Sequence, residues 1–358
     1  MIDEAKGNLL LADAEALVNT VNCVGFMGKG IALQFKQAYP ENFRFYERAC
    51  RNEEVRPGRM LVFDAGQMFK PRYIINFPTK RHWRGKSRIE DIQSGLDALI
   101  HEVKRLGIRS IAVPPLGCGH GGLDWLVVRP MIVRAFEALP EVKVLLFAPV
   151  GTPDAKTMPI RTAKPNMTAA RALLLKLMQQ YLLLAYRLTQ LEIQKLAYFL
   201  QESGERMKLN YQAGRFGPYA PNLSKVLERI DGHFIRGFGD DAKPDREIEL
   251  VAGAPEAADV ILASHPSSIE RLHLVGELIE GFETPYGMEL LATVHWVAVH
   301  SEKPARDADS AVNAVHTWSD RKRQMFRPQH IRLAWDRLVK LGWISGESSH
   351  ADAAAKCE

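Results

Sequence analysis

The sequence is poor in cysteine. Only Cys23, Cys50, Cys118 and Cys357 occur among 358 residues, and they show neither paired spacing nor companion histidines at metal-ligand intervals. This pattern excludes a disulfide framework and predicts no metal site. Long uncharged apolar runs are also lacking, because the most apolar stretch, residues 170–188, contains two arginines, a lysine and two glutamines. That stretch is too polar for a bilayer core and predicts a buried helix.

No single sign of charge dominates the chain. The formal net charge is +5, and residues 1–155 hold 21 Lys and Arg against 17 Asp and Glu. This modest basic excess suits a polyanionic partner without requiring one. The opening residues lack the positive charge and apolar stretch of a signal peptide, which predicts a cytoplasmic protein without membrane contact. At 358 residues, the chain is expected to fold as two domains.

The first half of the chain alternates strand and helix patterns, which indicates a layered α/β domain with a mixed sheet between helices. Apolar runs predict strands at 7–12, 16–22, 60–63, 73–77, 110–113 and 142–147. Helical spacing predicts helices at 31–38, 41–51, 89–106 and 124–139.

The second half has a mainly helical pattern. A capping box stands at 189–192, and later helices are predicted at 268–281, 287–300 and 327–340. A stretch rich in proline, glycine and polar residues separates the two halves. The predicted bounds are 1–152 for the α/β domain, 153–167 for a linker, 168–345 for the mainly helical domain and 346–358 for a flexible tail.

Two glycine-rich loops carry the chemical information. The first glycine loop, residues 25–30, and the second glycine loop, residues 117–122, each follow a predicted strand and precede a predicted helix. Glycine lets the backbone approach a phosphate, and a helix N-terminus adds free N–H groups and a positive dipole end. One such loop alone is compatible with a plain turn. Two at the ends of neighbouring strands supply the two sets of donors that a diphosphate needs.

These segments resemble the macrodomain family. The resemblance rests on Gly7-Asn8, on residues 17–22, on Met27-Gly28-Lys29-Gly30 and on the second glycine loop, and it covers residues 1–150. The sequence Tyr-Ile-Ile-Asn-Phe-Pro-Thr-Lys at 73–80 resembles the branch of the family that uses a catalytic lysine. That branch includes antitoxins that remove ADP-ribose from DNA and the human terminal ADP-ribose protein glycohydrolase.

The resemblance implies that Lys80 is the catalytic residue, that Asn22 contacts the distal ribose and that the two glycine loops hold the diphosphate of ADP-ribose. It implies no cofactor. The residues expected to bind ADP-ribose are Asn8, Leu9, Asn22, Met27, Gly28, Lys29, Gly30, Ile31, Gly117, Cys118, Gly119, His120, Gly121 and Gly122.

Two positions depart from the family pattern. Many macrodomains have an aspartate where Asn8 stands, which accepts a hydrogen bond from the adenine amine. The amide oxygen of Asn8 is able to accept the same bond. The human relative has a catalytic acid at the position of Gly121. The nearest carboxylate in this chain belongs to Asp124, and nothing in the sequence assigns it that role.

A lysine suits the cleavage of an N-glycosidic ADP-ribosyl bond, which develops positive charge at the anomeric carbon. A neutral Lys80 would attack that carbon and form a Schiff base once the sugar opens. A charged Lys80 would instead stabilise the departing base. Burial and the adjacent Arg81 are both expected to lower the pKa of Lys80, which favours the nucleophilic alternative.

A basic segment follows Lys80 directly. The basic loop, residues 81–88, contains four cationic residues and one tryptophan, a combination that suits phosphate contacts and base stacking. Nucleic-acid contacts are therefore expected from Arg81, His82, Trp83 and Arg84. An exposed loop with Trp83 packed against the domain is an equal alternative.

The second half carries a weaker signal. Residues 195–199, Lys-Leu-Ala-Tyr-Phe, followed by Arg215-Phe-Gly-Pro-Tyr-Ala-Pro221, resemble Panacea-type antitoxin domains, which bind and neutralise toxins. The resemblance implies a protein partner, the cognate DNA ADP-ribosyltransferase toxin. Apolar helix positions belong to a core more often than to an interface, so no contact residues are assigned.

The combined interpretation is an antitoxin that acts on ADP-ribosylated DNA. It would hydrolyse the bond between ADP-ribose and a base, thymidine in single-stranded DNA, and bind its toxin. The identity of the base rests on the resemblance alone. Three alternatives stay open: a hydrolase of ADP-ribosylated protein or of small ADP-ribose esters, a reader that binds ADP-ribose without cleaving it, and a toxin-sequestering protein whose first domain is inactive.

Overall fold

The chain divides into two compact units in the computed structural model, which describes residues 1–66, 70–149, 157–183, 187–239 and 247–346. The first unit contains Met1–Lys164, and the second contains Pro165–Phe238 together with most of the chain beyond it. The domain bounds drawn from the sequence stay predictions. Residues 153–156 of the predicted linker and the predicted tail from residue 347 lie outside the described residues.

A six-stranded mixed sheet forms the centre of the first unit. Its strands are β1 (Ile2–Ala5), β2 (Ala16–Asn22), β3 (Leu61–Asp64), β4 (Tyr73–Lys80), β5 (Ser110–Val113) and β6 (Lys143–Phe147). They lie in the order β1, β6, β5, β2, β4, β3, and only the β3–β4 pair is antiparallel. The carboxyl ends of β2, β4 and β5 therefore meet at one edge of the sheet.

Helices cover both faces of this sheet: α1 (Gly30–Ala38), α2 (Pro40–Arg51), α3 (Ile89–Leu106) and α4 (Trp125–Phe136). Successive residues of β2 point to opposite faces, so Val18 packs with residues of α3 and α4 while Leu17 packs with residues of α1. Parallel strands buried on both faces have continuous apolar sequences. The predicted macrodomain fold, a mixed sheet between helices, is confirmed.

Two local predictions in the first unit are wrong, and one strand was not predicted. The strand predicted at 7–12 is a 3-10 helix at Leu9–Leu11, because the side-chain oxygen of Asn8 accepts a hydrogen bond from the N–H of Leu10 at 3.0 Å and caps the turn. The edge strand β1 has no counterpart in the sequence pattern, since only two of its four residues are apolar. Finally, β4 continues beyond its predicted end at 77, which makes Lys80 its last residue.

The second unit is mainly helical, as predicted. Its helices are α5 (Ala169–Leu182), α6 (Gln190–Glu202), α7 (Leu223–Ile230), α8 (Ala254–Leu262), α9 (Pro266–Ile279), α10 (Pro285–Val299), α11 (Ala308–Trp318), α12 (Asp320–Met325) and α13 (Pro328–Lys340). Short antiparallel pairs join β7 (Gln212–Gly214) to β8 (Gly217–Tyr219) and β9 (Ile235–Arg236) to β10 (Glu249–Leu250). The capping box of Thr189 and Glu192 is present. Among the described helices, none is long and apolar enough to cross a membrane.

The two segments of the Panacea-like motif lie in direct contact in the second unit. The Nζ of Lys195 on α6 donates a hydrogen bond to the carbonyl of Pro218 on β8 at 2.6 Å. The neighbouring Gln194 bonds both backbone groups of Ala220, at 3.1 and 3.0 Å. These bonds fix the β7–β8 hairpin on α6, although the residues are more than twenty positions apart in the chain.

A buried ion cluster lies next to that hairpin. Glu289 on α10 accepts hydrogen bonds from Arg321, at 2.6 and 3.0 Å, and from Lys322 at 2.8 Å. Lys322 is fully buried and also bonds the hydroxyl of Thr293 at 3.0 Å. Burial raises the pKa of Glu289, but the bonds and charges of the two cations outweigh it and hold that pKa below its ordinary value.

Candidate active site

The candidate site lies where β2 and β4 end. Asn22 and Lys80 are register partners on these adjacent parallel strands, whereas the preceding pair is Val21 with Pro78. Thr79 is therefore an extra residue on β4, a bulge of the kind that redirects a side chain at the end of a strand. The bulge places Lys80 opposite Asn22 at the edge of the sheet.

The ammonium group of Lys80 reaches across to the second glycine loop, where it donates a hydrogen bond to the backbone carbonyl of His120. Partial burial lowers the pKa of Lys80. The sequence also predicted a contribution from Arg81, and this part is wrong. The guanidinium of Arg81 pairs with the buried carboxylate of Asp91 through two hydrogen bonds, at 3.2 and 3.0 Å. Its charge is thus compensated, and burial alone accounts for the lowered pKa.

The side chain of Asn22 organises the first glycine loop from within. Its amide nitrogen donates to the carbonyl of Phe26, and its oxygen accepts from the N–H groups of Val24, at 3.0 Å, and Phe26, at 3.4 Å. The hydroxyl of Tyr46 on α2 donates to the backbone and side-chain oxygens of Asn22, at 2.8 and 3.1 Å. Contact with a ribose remains a prediction for Asn22. Its visible role is to hold the loop.

Packing explains the glycines of the first loop. A Cβ atom on Gly28 would overlap the ring of Phe26. Gly30 opens α1 with a φ of +58°, and a Cβ on it would lie 3.3 Å from the imidazole of His120. Of the other predicted residues there, Met27 is buried and Lys29 is exposed at the N-cap of α1, which Ile31 continues.

The second glycine loop is tightly folded on itself. The N–H of Leu123 donates to the carbonyl of Gly117 at 3.0 Å, and that of Gly122 to the carbonyl of Gly119 at 3.0 Å. A Cβ atom on Gly121 would overlap the carbonyl oxygen of Gly117 and the hydroxyl of Ser87, so this position admits no side chain without a shift of the backbone. Burial raises the pKa of the Cys118 thiol to about 11, which keeps it protonated and a poor nucleophile.

The structure brings the two glycine loops together beside Lys80. Gly30 of the first loop and His120 of the second are neighbours, and His120 is also the residue whose carbonyl receives the bond from Lys80. The N-terminus of α1 begins at the same place: the N–H of Gly30 donates to the carbonyl of Gly239 at 2.5 Å, and the following N–H groups of the first turn form a positive dipole end. A cationic amine, a helix N-terminus and glycine backbone at one edge form a suitable environment for a phosphorylated sugar.

Asn8 and Asp124 have structural contacts of their own. The oxygen of Asn8 caps the turn at buried Leu9, and its amide nitrogen contacts the sulfur of Met158 at 3.2 Å. A carbonyl oxygen has a second lone pair, so the predicted adenine contact stays a prediction. The carboxylate of Asp124 caps α4 by accepting the N–H of Leu126 at 2.9 Å. This observation gives Asp124 a role in helix capping.

The basic loop presents aromatic and cationic groups together. The imidazole of His82 stacks on the indole of Trp83 with ring centres 5.5 Å apart, and the guanidinium of Arg84 lies 4.5 Å from the indole centre. Trp83 also contacts Phe26 of the first glycine loop. Trp83 thus packs on the domain and yet remains 44% exposed, and the nucleic-acid contacts stay a prediction.

Four residues of this region were not assigned a role from the sequence: Phe26, Tyr46, Ser87 and Asp91. An exposed aromatic residue inside a glycine loop is a usable signal for Phe26. The other three contact the site through pairs distant in the chain, such as the N–H of Ser87 with the carbonyl of Gly121 at 3.0 Å, and no local pattern indicates them.

One group in the second unit has the composition of a metal site. Potential ligand atoms of Glu202, His295 and His300 lie within 4.8 Å of one another. These side chains already have hydrogen-bond partners, since Nδ1 of His295 bonds the hydroxyl of Tyr198 at 2.7 Å and Nε2 of His300 bonds Glu202 at 2.9 Å. Polar contacts thus account for the cluster, and the absence of a metal stays a prediction.

Comparison with known proteins assigns the chain to a family. The Macro domain family matches residues 18–132. A protein from Thermus aquaticus named DNA ADP-ribosyl glycohydrolase is 47% identical over 97% of this chain and 95% of its own length. The solved macrodomain of Mycobacterium tuberculosis DarG is 56% identical, with a TM-score of 0.41, and covers 42% of this chain and 98% of that one.

A third relative joins two activities in its name. The DNA ADP-ribosyl transferase-DNA ADP-ribosyl glycohydrolase fusion protein of Thermosipho africanus is 33% identical over 43% of this chain and 44% of its own length. The similarity to the Thermus aquaticus protein extends through both units at 47% identity. The chain belongs to the DNA ADP-ribosyl glycohydrolase family.

Proposed function

We propose that this chain removes ADP-ribose from a base of DNA by hydrolysing the N-glycosidic bond, with thymidine in single-stranded DNA as the modified base. The observation that carries the proposal is the position of Lys80, whose side chain ends at the backbone of the second glycine loop. The name and near full-length similarity of the Thermus aquaticus relative support DNA as the substrate. The bulge at Thr79 presents the amine at the edge where the two glycine loops meet.

The ADP-ribose would lie along this edge of the sheet. Both glycine loops and the N-terminus of α1 would hold the diphosphate through backbone N–H groups, as phosphate sites commonly do. Asn22 would meet the distal ribose from the end of β2. The adenine would lie near Asn8 and Leu9, where the Asn8 oxygen is able to accept a bond from the amine.

The proposed chemistry uses the neutral form of Lys80, which a lowered pKa makes more accessible. Its nitrogen would form a bond to the anomeric carbon while the bond to the base nitrogen breaks. The base leaves with the electron pair and takes up the proton that the lysine nitrogen loses. The ribose ring then opens: the ring C–O bond breaks, the ring oxygen takes a proton from water, and the lysine nitrogen forms a protonated Schiff base. The hydroxide left by that water adds to the Schiff-base carbon, and departure of the amine releases ADP-ribose and free Lys80. No protein carboxylate is required, because the base accepts the proton directly.

The basic loop would bind the DNA strand next to the modified base. His82, Trp83 and Arg84 present a ring surface with a cation on it, and such surfaces bind single strands without requiring a particular sequence. Arg81 would contribute less than the sequence suggested, because Asp91 already pairs with its guanidinium. A cytoplasmic location is part of the same proposal.

The second unit would bind the cognate DNA ADP-ribosyltransferase toxin. The support is the Panacea-like motif, whose two segments lie in contact through Lys195 and Gln194, and the Thermosipho africanus relative, whose name joins transferase and glycohydrolase. Pull-down of purified toxin by the wild type and by Lys80→Ala tests this part. Equal capture by both would support binding by a surface other than the active site, and no capture by either would contradict it.

The deciding experiment measures release of ADP-ribose from a thymidine-modified single-stranded oligonucleotide. We compare the wild type with Lys80→Ala and with the control Lys143→Ala after free ADP-ribose binding has been matched. Lys143 is an exposed lysine at the amino end of β6, away from Lys80 at the carboxyl end of β4. Release by the wild type and the control, but not by Lys80→Ala, is expected. Release only from ADP-ribosylated protein would favour a protein hydrolase, and binding without any release would favour a reader.

A further inference from the structure

Two aromatic side chains from different loops meet beside Lys80, and neither is buried. Phe26 of the first glycine loop is 40% exposed, and Trp83 of the basic loop is 44% exposed. Their ring centres lie 5.4 Å apart, with the planes inclined by 37°. Large aromatic groups are usually buried, so an exposed pair of rings at the mouth of a site indicates a surface that a ligand covers.

The position of Phe26 is fixed by the residues around it. The side chain of Asn22 bonds both the N–H and the carbonyl of Phe26. The ring lies over Gly28, where any Cβ atom would overlap it. A surface ring held from below in this way loses little conformational entropy when a ligand binds, and preorganisation of this kind favours affinity.

The chemistry around the two rings favours a nucleobase. The guanidinium of Arg84 lies 4.5 Å from the indole centre of Trp83, and His82 stacks on the same indole. Lys86 and Arg88 follow in the same loop. Flat apolar rings with a guanidinium on one of them, in a loop that contains further cations, match a base that is attached to a phosphate chain, because the rings stack on the base and cations meet the phosphates.

We propose that Phe26 and Trp83 form one aromatic platform, on which a nucleobase of the single-stranded substrate stacks while ADP-ribose occupies the glycine loops. This inference rests on the proposed function and deepens it. The platform makes Phe26 and Trp83 specificity-determining residues, because an ADP-ribosylated protein side chain has no base to place on the rings. The two residues lie in loops that follow β2 and β4, so both rings stand next to the end of the strand that holds Lys80.

The test uses the full-length chain with Phe26→Ala, Trp83→Ala and the control Leu126→Ala, a 78% exposed apolar residue on α4. Each platform variant is expected to raise the KM for an ADP-ribosylated single-stranded oligonucleotide about tenfold, through the loss of one base–aromatic stack. The Kd for free ADP-ribose should change less than twofold. Phe26→Tyr and Trp83→Phe should restore most of the lost affinity, and the control should match the wild type.

Two results would overturn the platform. Equal loss of free ADP-ribose affinity in Phe26→Ala would place that ring in the ADP-ribose pocket instead, and an unchanged KM in both alanine variants would remove the base contact altogether. Binding of an unmodified oligonucleotide separates this inference from the proposed hydrolysis. If the wild type cleaves no modified DNA but the alanine variants still bind the plain strand about tenfold more weakly, the platform stands and the hydrolysis fails.

Discussion

The hydroxyl oxygen of Ser87 occupies the space that a Cβ atom on Gly121 would need. The same pair is joined by a hydrogen bond from the N–H of Ser87 to the carbonyl of Gly121 at 3.0 Å. The basic loop and the second glycine loop are thus packed against each other at backbone distance. The Gly121 position, for which the resemblance to the lysine-using branch implied a comparison with a catalytic acid, admits no side chain without a shift of the backbone.

Gly121→Ala should therefore destabilise the first unit. Its Cβ would meet the carbonyl oxygen of Gly117, which is backbone and cannot rotate away. Overpacking of this kind costs about 1–3 kcal/mol of unfolding free energy. Thermal unfolding without ligand measures it, with Gly119→Ala as the matched control because nothing lies within 4 Å of its Cβ position. Equal melting temperatures for the two variants would contradict the packing argument.

The cleavage rate should depend on the protonation of Lys80. Because burial lowers its pKa, the neutral amine becomes available below the ordinary lysine pKa of about 10.4. The value of kcat for the modified oligonucleotide is expected to rise with pH and level off before that value. Lys80→Arg, which stays charged, should show no activity at any pH. A rate that falls as pH rises would instead indicate that the ammonium form stabilises the departing base.

Neutralising Glu289 should lower the unfolding free energy of the second unit far more than neutralising a surface carboxylate does. Glu289→Gln keeps the shape but leaves the buried ammonium of Lys322 with Thr293 as its remaining hydrogen-bond partner among the contacts described above. Removing one partner of a buried ion pair lowers the unfolding free energy by about 3–5 kcal/mol. Urea unfolding followed by tryptophan fluorescence reports it, since four of the six tryptophans lie in this unit. The control Glu302→Gln removes an exposed charge and should change stability by less than about 0.5 kcal/mol.

Lys195 should make the stability of the second unit depend on pH. Burial lowers its pKa to about 7, an effect reinforced by Lys322 and opposed by Glu289 and Glu192. The unfolded chain binds the proton up to about pH 10.4, so between pH 7 and that value the unfolded state holds more protons. The stability from this group is therefore complete above that window, declines as the pH falls through the window, and is fully lost below about pH 7.

Lys195→Met removes the titrating group, so the pH slope of the unfolding free energy should fall by as much as about 1.4 kcal/mol per pH unit within that window. Urea titrations of wild type and variant at pH 7, 8 and 9 measure the difference in slope. Parallel curves would show that Lys195 keeps the same charge in both states. Only the slopes are compared, because the variant also loses the bond to Pro218.

Much of the fold follows from local sequence. Strands such as β5 and helices such as α3 correspond to apolar sequence patterns that are long or clearly bounded. Gly107 ends α3 in the left-handed conformation that favours glycine. The pattern fails where a local polar contact competes. The apolar run at 7–12 has strand composition, but the cap from Asn8 turns it into a 3-10 helix. The apolar pattern also misses edge strands such as β1. This strand needs few apolar residues because it pairs with the neighbouring strand β6.

The candidate site likewise combines features that follow from local sequence with contacts that depend on the tertiary structure. The two glycine loops, the order of strand, loop and helix around them, and a lysine shortly after an apolar strand pattern are all properties of short segments, so the sequence by itself determined them. The pairing of Arg81 with Asp91, the contact of Phe26 with Trp83 and the closure of the Gly121 position were decided only by the tertiary structure. These contacts join segments that are distant in the chain, and their distances depend on strand order, on the bulge at Thr79 and on the packing of α3, which no local periodicity encodes.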